Sequence, residues 1–308
     1  MNIIQSLILG LVQGATEFIP ISSSGHLTLI PWLFNWTFDP TFKGAFDVMA
    51  HWGTLVAVLA VFWRDLWALL LGWLRTLGIG APREADDLGV AHPAGARVSS
   101  GAQGSGFLAR VAHDADGRMA WLIGIGSLPA ALAGLLFEGF FETLFGTPRI
   151  VSLLLLVTAG ILAFSEGRFV SPGRGHQGRD LPSLTWLDAL VIGLGQAMAI
   201  APGISRSGST IAAGLVRGLK RDAAARFSFL LSTPVIFGAG VWQIKDLLVS
   251  SEWTAYLGAL IVGFGAAALS GYLCIRFLLS YLRHGKLYPF AVYCAVAGAF
   301  CLILSFVR

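Results

Sequence analysis

Apolar residues run through this chain in stretches long enough to cross a bilayer, and polar residues gather between them. A helix of about 20 apolar residues spans a hydrocarbon core. Stretches near 44–63 (continued by 66–74), 119–137, 150–164, 227–244, 255–275 and 287–307 approach that length, which predicts six spanning helices. Two further apolar segments, 3–37 and 186–216, are broken at mid-length by Pro, Gly and Ser. A lipid-facing helix cannot leave backbone groups unpaired there, so both are predicted to be re-entrant helix-loop-helix hairpins. The expected fold is an all-α polytopic membrane helix bundle, one integral membrane domain over 1–308. The segment 78–117, rich in Gly, Ala and Asp, shows no helical apolar period and is expected to be a solvated, mobile loop without chemistry.

Composition excludes a soluble domain of this size. Of 308 residues, 56% are hydrophobic and 12% charged, with a mean hydropathy of +0.74, where soluble chains carry about 25% charged residues. The net charge of +4 does not point to nucleic acid, because in a membrane protein the placement of cations says more than their sum. Arg75, Arg83, Arg97, Arg110 and Arg118 share one connection, and Arg168, Arg174 and Arg179 another. Arg217, Lys220, Arg221 and Arg226 fall in a third, Arg283 and Lys286 in a fourth. These four are expected on the cytoplasmic side, and the connections holding Glu138, Glu142, Asp246 and Glu252 outside. Both termini then lie outside, the first hairpin enters from the outer face and the second from the cytoplasmic face. Cys274, Cys294 and Cys301 have no metal-type spacing and are expected to pack.

The two hairpins are copies. ILGLVQGATEFIPISSSGHLT aligns without gaps on VIGLGQAMAIAPGISRSGSTI at an offset of 183 residues. The offset pairs Gly10 with Gly193, Gln13 with Gln196, Ser22 with Ser205, Ser24 with Ser207 and Gly25 with Gly208. An odd number of spans separates the copies, so the repeats, about 1–164 and 186–308, have inverted topology, a plan in which broken helices meet near the bilayer midplane. Gly10 and Gly193 read as close-packing positions. Glu17, His26 and Arg206 do not, since a charge at mid-membrane costs about 2.5–3.5 kcal/mol even on lenient scales. The copies diverge at those residues: Glu17 matches Ile200, Ser23 matches Arg206 and His26 matches Ser209. An acid, a hydroxyl and an imidazole from one copy then face a guanidinium and hydroxyls from the other. Ser205 to Thr210 precede a helical run, so helix-start N–H groups, hydroxyls and Arg206 suit phosphate oxygens.

These segments resemble the signature motifs of the undecaprenyl-diphosphate phosphatase, or bacitracin-resistance, family. Gln13-Gly14-Ala15-Thr16-Glu17 matches its acidic motif, Ser22 to His26 (SSSGH) its hydroxyl-rich turn, and Pro202 to Thr210 its Pro-Gly-x-Ser-Arg-Ser-x-x-Thr motif. The likeness extends to FDVMAHWGTLVAVLAVFWR and RFSFLLSTPVIFGA. It implies hydrolysis of undecaprenyl diphosphate to undecaprenyl phosphate and inorganic phosphate in a bacterial inner membrane, with the site opening to the outer side. It also implies carrier recycling for cell-wall synthesis, bacitracin resistance, and a divalent cation, magnesium or calcium, bound near Gln13 and Glu17. Gln13 stands where the family often has the first glutamate of this motif, which removes one formal charge from such a site.

Within that frame Ser23 is expected to attack phosphorus, with Glu17 as base or metal ligand, His26 as proton donor to the leaving phosphate and Arg206 as the charge clamp. Direct attack by water, with Ser23 only hydrogen-bonding, stays open. Ser22, Ser24, Gly203, Ser205, Ser207 and Thr210 are expected around the phosphate, with turn stabilisation as the alternative for the hydroxyls. His51 beside Asp47 reads as a hydrogen-bonded pair packed in the bundle. The expected partners are the lipid substrate and the bilayer, with room for a homodimer. A transporter or flippase of polyprenyl phosphates is the rival from another class, because inverted repeats with broken helices are common in carriers. Acid-phosphatase-like lipid phosphatases fit less well, Ala212 standing where a histidine would follow Arg206.

Overall fold

The computed structural model describes residues 2–79, 106–145, 147–169, 178–249 and 256–308. Eleven α-helices lie within them: α1 (Ile3–Phe18), α2 (Ser23–Leu33), α3 (Pro40–Thr76), α4 (Phe107–His113), α5 (Ala115–Phe145), α6 (Pro148–Phe169), α7 (Trp186–Met198), α8 (Arg206–Val216), α9 (Arg221–Val249), α10 (Leu257–Tyr281) and α11 (Tyr288–Val307). No β-strand occurs among the described residues, only an isolated bridge between Arg179 and Leu219. Among the described residues six helices are long and apolar enough to cross a membrane: Phe42–Thr76, Ala115–Phe137, Pro148–Gly167, Arg221–Gln243, Leu257–Tyr281 and Tyr288–Val307. The two apolar runs at 44–63 and 66–74 form one helix, kinked at Phe62 (φ −108°, ψ 19°). Ile261, Leu269 and Leu273 on α10 and Val296, Phe300 and Ile303 on α11 are exposed, as a polytopic membrane protein requires of faces that meet lipid. The chain is an all-α polytopic membrane protein.

The described residues divide into two compact units, Met1–Trp63 with Ile123–Arg308, and Arg64–Leu122. The second unit corrects the expectation of a featureless loop over 78–117. Its residues 80–105 lie outside the described residues, but 107–113 are helical. Arg75 Nε donates to Asp114 Oδ2 at 2.6 Å, and Arg110 Nε to the Thr76 carbonyl at 2.9 Å. Asp114 Oδ1 also accepts from the Gly117 N–H at 2.8 Å, which caps the start of α5. A seven-residue helix tied by Arg110 to a backbone carbonyl and followed by the Asp114 ion pair has too few turns to show an apolar period. Arg83, Arg97, Arg174 and Glu252, used above to orient the loops, lie outside the described residues, as do the side chains of Glu138, Glu142, Arg168 and Asp246.

The first unit carries the repeat in atomic detail. α1 opens with a capping box in which Asn2 Oδ1 accepts from Gln5 N at 2.8 Å and Gln5 Oε1 from Asn2 N at 2.9 Å. At the same offset, α7 opens with a capping box between Thr185 and Asp188. Such caps contribute about 1 kcal/mol each and fix where the hairpins begin. Gly10 lies so close to α10 that a Cβ there would stand 2.4 Å from the Gly263 carbonyl oxygen, and its counterpart Gly193 would meet the Gly126 carbonyl on α5 at 2.3 Å. The hairpin turns are anchored in parallel too. Thr158 on α6 donates to the Gly203 carbonyl at 2.9 Å, and Cys294 on α11 lies 3.9 Å from the carbonyl of Pro20, the residue matching Gly203.

Candidate active site

Each hairpin must reverse over four to seven residues inside an apolar setting, and the two copies solve this differently. The second turns at Gly203 with φ of 102°, a conformation glycine adopts freely. Its counterpart Pro20 has a ring that locks φ negative. The first copy therefore takes its positive φ two residues later, at Ser22 (φ 71°, ψ 99°), a strained state for a residue with a Cβ. After each turn the same cap recurs: Ser22 Oγ accepts from Gly25 N at 3.2 Å, and Ser205 Oγ from Gly208 N at 3.1 Å. Ser24 and Ser207 lie beside those capping hydroxyls, at 3.4 and 3.2 Å. The caps start α2 and α8 at Ser23 and Arg206, and so put the nucleophile candidate and the guanidinium at the two helix N-termini.

Those termini meet at Glu17, in the last turn of α1. Arg206 Nη2 donates to Glu17 Oε1 at 2.7 Å, while Ser23 Oγ donates to Oε2 at 2.6 Å. Gln13 Nε2, one turn back, also donates to Oε2, at 3.0 Å. Glu17 is 6% exposed, so a carboxylate that alone would be prohibitive at this depth is neutralised and fully hydrogen-bonded. The sequence-predicted Glu17, Ser23 and Arg206 thus come together from both hairpins.

The other predicted residues surround this cluster without all touching it. Thr210 Oγ1 donates to the Arg206 carbonyl at 2.8 Å and lies 2.6 Å from Ser228 Oγ, while Arg206 Nη1 is 3.4 Å from the Ser228 carbonyl. Ser207 Oγ is 3.4 Å from the Ile19 carbonyl, a contact between the hairpins. Ser205 N donates to Thr158 Oγ1 at 3.0 Å. In this state Ser22, Ser205 and Thr210 serve their turns and helix starts. His26 stands apart from the acid: Nδ1 is 2.7 Å from the Ser22 carbonyl and Nε2 is 2.7 Å from the Tyr293 hydroxyl, with the rings stacked.

His51 pairs with Asp47 and also approaches the acid. Its Nδ1 lies 2.7 Å from the backbone carbonyl of Asp47, not its carboxylate, which is bound by Lys43 at 2.6 Å. Its Nε2 is 4.0 Å from Glu17 Oε2. Ser228 and Tyr293 were not singled out in the sequence. Ser228 and His51 both fall in the stretches that carried the family likeness, which was the available signal.

The donor set does not make a metal pocket. Gln13 turns its amide nitrogen rather than its oxygen to Glu17, both Glu17 oxygens are occupied by the protein, and no group of three or more His, Cys, Asp and Glu converges among the described residues. Gln13 Oε1 is buried without a partner, but one neutral oxygen is a weak hold for a hard cation.

At the foot of the second hairpin, Asp188 is fully buried and receives Arg217 Nε at 2.6 Å and Arg179 Nη2 at 3.0 Å. Burial would raise its pKa, but the Thr185 N–H, the two guanidiniums and the Thr185 hydroxyl together hold it at about 2. This network ties the start of α7 to the end of α8.

Comparison with known proteins places this geometry in context. Residues 6–300 match the family described as "Bacitracin resistance protein BacA". The chain is 38% identical over 308 residues to an "Undecaprenyl-diphosphatase" of Moorella thermoacetica, with all of both chains covered. It is 39% identical over 307 residues to one of Methanosphaera stadtmanae, covering 100% of this chain and 99% of that one. A protein of the same name from Halothermothrix orenii is 39% identical over 311 residues, with 99% of each chain covered.

Proposed function

The chain belongs to the BacA bacitracin-resistance family, and from that premise and the geometry above we propose that it is an undecaprenyl-diphosphatase. It hydrolyses undecaprenyl diphosphate to undecaprenyl phosphate and inorganic phosphate within the membrane. The reaction returns the carrier lipid to peptidoglycan synthesis and depletes the diphosphate form that bacitracin captures. The observation that carries the mechanism is the 2.6 Å contact between Ser23 Oγ and a carboxylate that also holds Arg206.

Ser23 attacks the terminal phosphorus as Glu17 takes its proton. The Oγ–P bond forms while the bond from phosphorus to the bridging oxygen breaks, and that oxygen leaves on the polyprenyl phosphate. Arg206 neutralises the charge gathering on the equatorial oxygens, assisted by the N-terminus of α8. A water, deprotonated by Glu17, then releases phosphate and restores the serine. His26 can reach the leaving phosphate only when Tyr293 yields its Nε2. A divalent cation enters this reading as a companion of the diphosphate itself, because the protein donors do not form a cage. Family membership supports placement in a bacterial inner membrane with the site open to the outer side, and the distribution of Lys and Arg orients the loops.

The test is phosphate release from a polyprenyl diphosphate by purified protein, with Ser23→Ala and Glu17→Gln beside the wild type. Loss of at least about 100-fold in both is expected, together with an acid-stable phosphoserine in quenched wild type. Near-normal turnover by Ser23→Ala would transfer the attack to water. A wild type that moves the lipid but releases no phosphate would make the protein a carrier.

A further inference from the structure

Hydrolysis of a diphosphate near neutral pH liberates one proton per turnover. Resting on the phosphatase reading above, that proton first arrives on Glu17, which is 6% exposed and enclosed by Arg206, Ser23 and Gln13. It has to leave before the next cycle, and none of those three neighbours can carry it. Arg206 is already charged and cannot accept a proton. Ser23 needs its own proton back. The Gln13 amide is too weak a base to accept a proton at neutral pH.

The fourth neighbour is His51, on α3. Its side chain is 39% exposed although it lies inside a spanning helix, and its Nε2 is 4.0 Å from Glu17 Oε2. The Asp47 carbonyl, an acceptor only, sits 2.7 Å from Nδ1 and so fixes the hydrogen on that nitrogen. Nε2 is therefore the nitrogen with an open lone pair, and it points at the buried acid. His26 is the reverse case, with both nitrogens engaged by Ser22 and Tyr293. One and two turns from His51 along the same face of α3, Asp47 and Lys43 continue the polar stripe as a half-exposed ion pair.

We infer that His51 is the proton exit of the site: its Nε2 takes from Glu17 the proton that came from Ser23 and passes it to solvent along the Lys43 and Asp47 face. The 4.0 Å gap is crossed by a tilt of the ring or through one water. Atoms balance over the cycle. The serine proton leaves through Glu17 and His51, one proton of the attacking water returns to Ser23 by way of Glu17, and the other stays on the released phosphate. His51 touches neither phosphorus nor leaving group, so its removal slows turnover without weakening substrate binding.

The experiment is steady-state phosphate release from a polyprenyl diphosphate in detergent by His51→Gln and His51→Asn, with and without added imidazole. The expected result is a fall in kcat of about 10- to 100-fold with KM within about twofold, and recovery of kcat as free imidazole is raised. Ser23→Ala, run in parallel, should show no recovery, and pre-steady-state formation of one phosphoserine per chain should survive in both histidine variants. Wild-type kcat in His51→Gln would overturn the inference, as would loss of activity in both variants without imidazole rescue. Either result with an active wild type leaves the phosphatase reading standing. A wild type that releases no phosphate would instead remove that reading, and this one with it.

Discussion

Replacing Arg206 with lysine separates charge from geometry at the centre of the site. Arg206 reaches Glu17 Oε1 through Nη2 at 2.7 Å and extends Nη1 toward the Ser228 carbonyl at 3.4 Å, so its plane is set from two directions. Lysine keeps the positive charge but offers one compact ammonium in place of a fork. Two unit charges about 4 Å apart attract by about 4 kcal/mol at an effective dielectric of about 20, and that attraction survives the change. What disappears is one charge-assisted hydrogen bond to a phosphoryl oxygen in the transition state, about 1.5–3 kcal/mol. At 1.36 kcal/mol per decade, kcat/KM should fall about 10- to 150-fold. Arg206→Met should behave differently, because a buried Glu17 left without its cation costs about 3–5 kcal/mol of stability. Phosphate release and thermal unfolding in the same detergent, measured on both variants, distinguish the two effects. Arg206→Lys within threefold of wild-type kcat/KM would refute the reasoning, since the fork would then do nothing that a point charge cannot.

Three further outcomes test the surroundings. Gly193→Ala should destabilise the protein by about 1–3 kcal/mol or more, because the new Cβ would stand 2.3 Å from the Gly126 carbonyl oxygen. Gly160→Ala, in open space on α6, should be neutral or stabilising by up to about 1 kcal/mol. Equal melting temperatures for the two would argue against backbone contact between α5 and α7. Asp188, held at about 2 against an ordinary 3.8, contributes stability that is full above about pH 4 and lost as pH falls toward 2. Unfolding midpoints across that window should drop in the wild type and stay flatter in Asp188→Asn. Tyr293→Phe removes the partner of His26 Nε2, and should cost about 1 kcal/mol of stability while raising kcat. An unchanged kcat there would make His26 a turn support only.

Much of the architecture was legible because membrane burial leaves coarse marks. Six spans follow from runs of apolar residues, and the two hairpins from Pro and Gly that no lipid-facing helix accommodates. The repeat was readable at single-residue resolution, and the paired serine caps at Ser22 and Ser205 follow its offset. That Glu17, Ser23 and Arg206 meet also follows from the repeat, since the substitutions that break its symmetry are the ones that complement each other chemically. Other features rest on side-chain directions that no linear pattern encodes. His51 was read as pairing with Asp47, which it does through backbone, and no spacing encodes the ring direction that leaves Nε2 4.0 Å from Glu17. His26 looked catalytic by position, while Tyr293, 267 residues away, takes its outward nitrogen. Helix α4 escaped notice because Arg110 ties it to the Thr76 carbonyl in place of an apolar stripe.

The bond between Glu17 and Arg206 makes the resting centre electrically silent. A cavity with an unmatched cation at this depth would draw any passing anion, and one with an unmatched acid would strain the fold. Joined, they ask nothing of their surroundings until a headgroup with more negative charge than one carboxylate competes for the guanidinium. Under the proposed mechanism, binding is an exchange of anions, and the displaced glutamate is released for proton transfer at the moment a phosphorus atom comes within reach of Ser23.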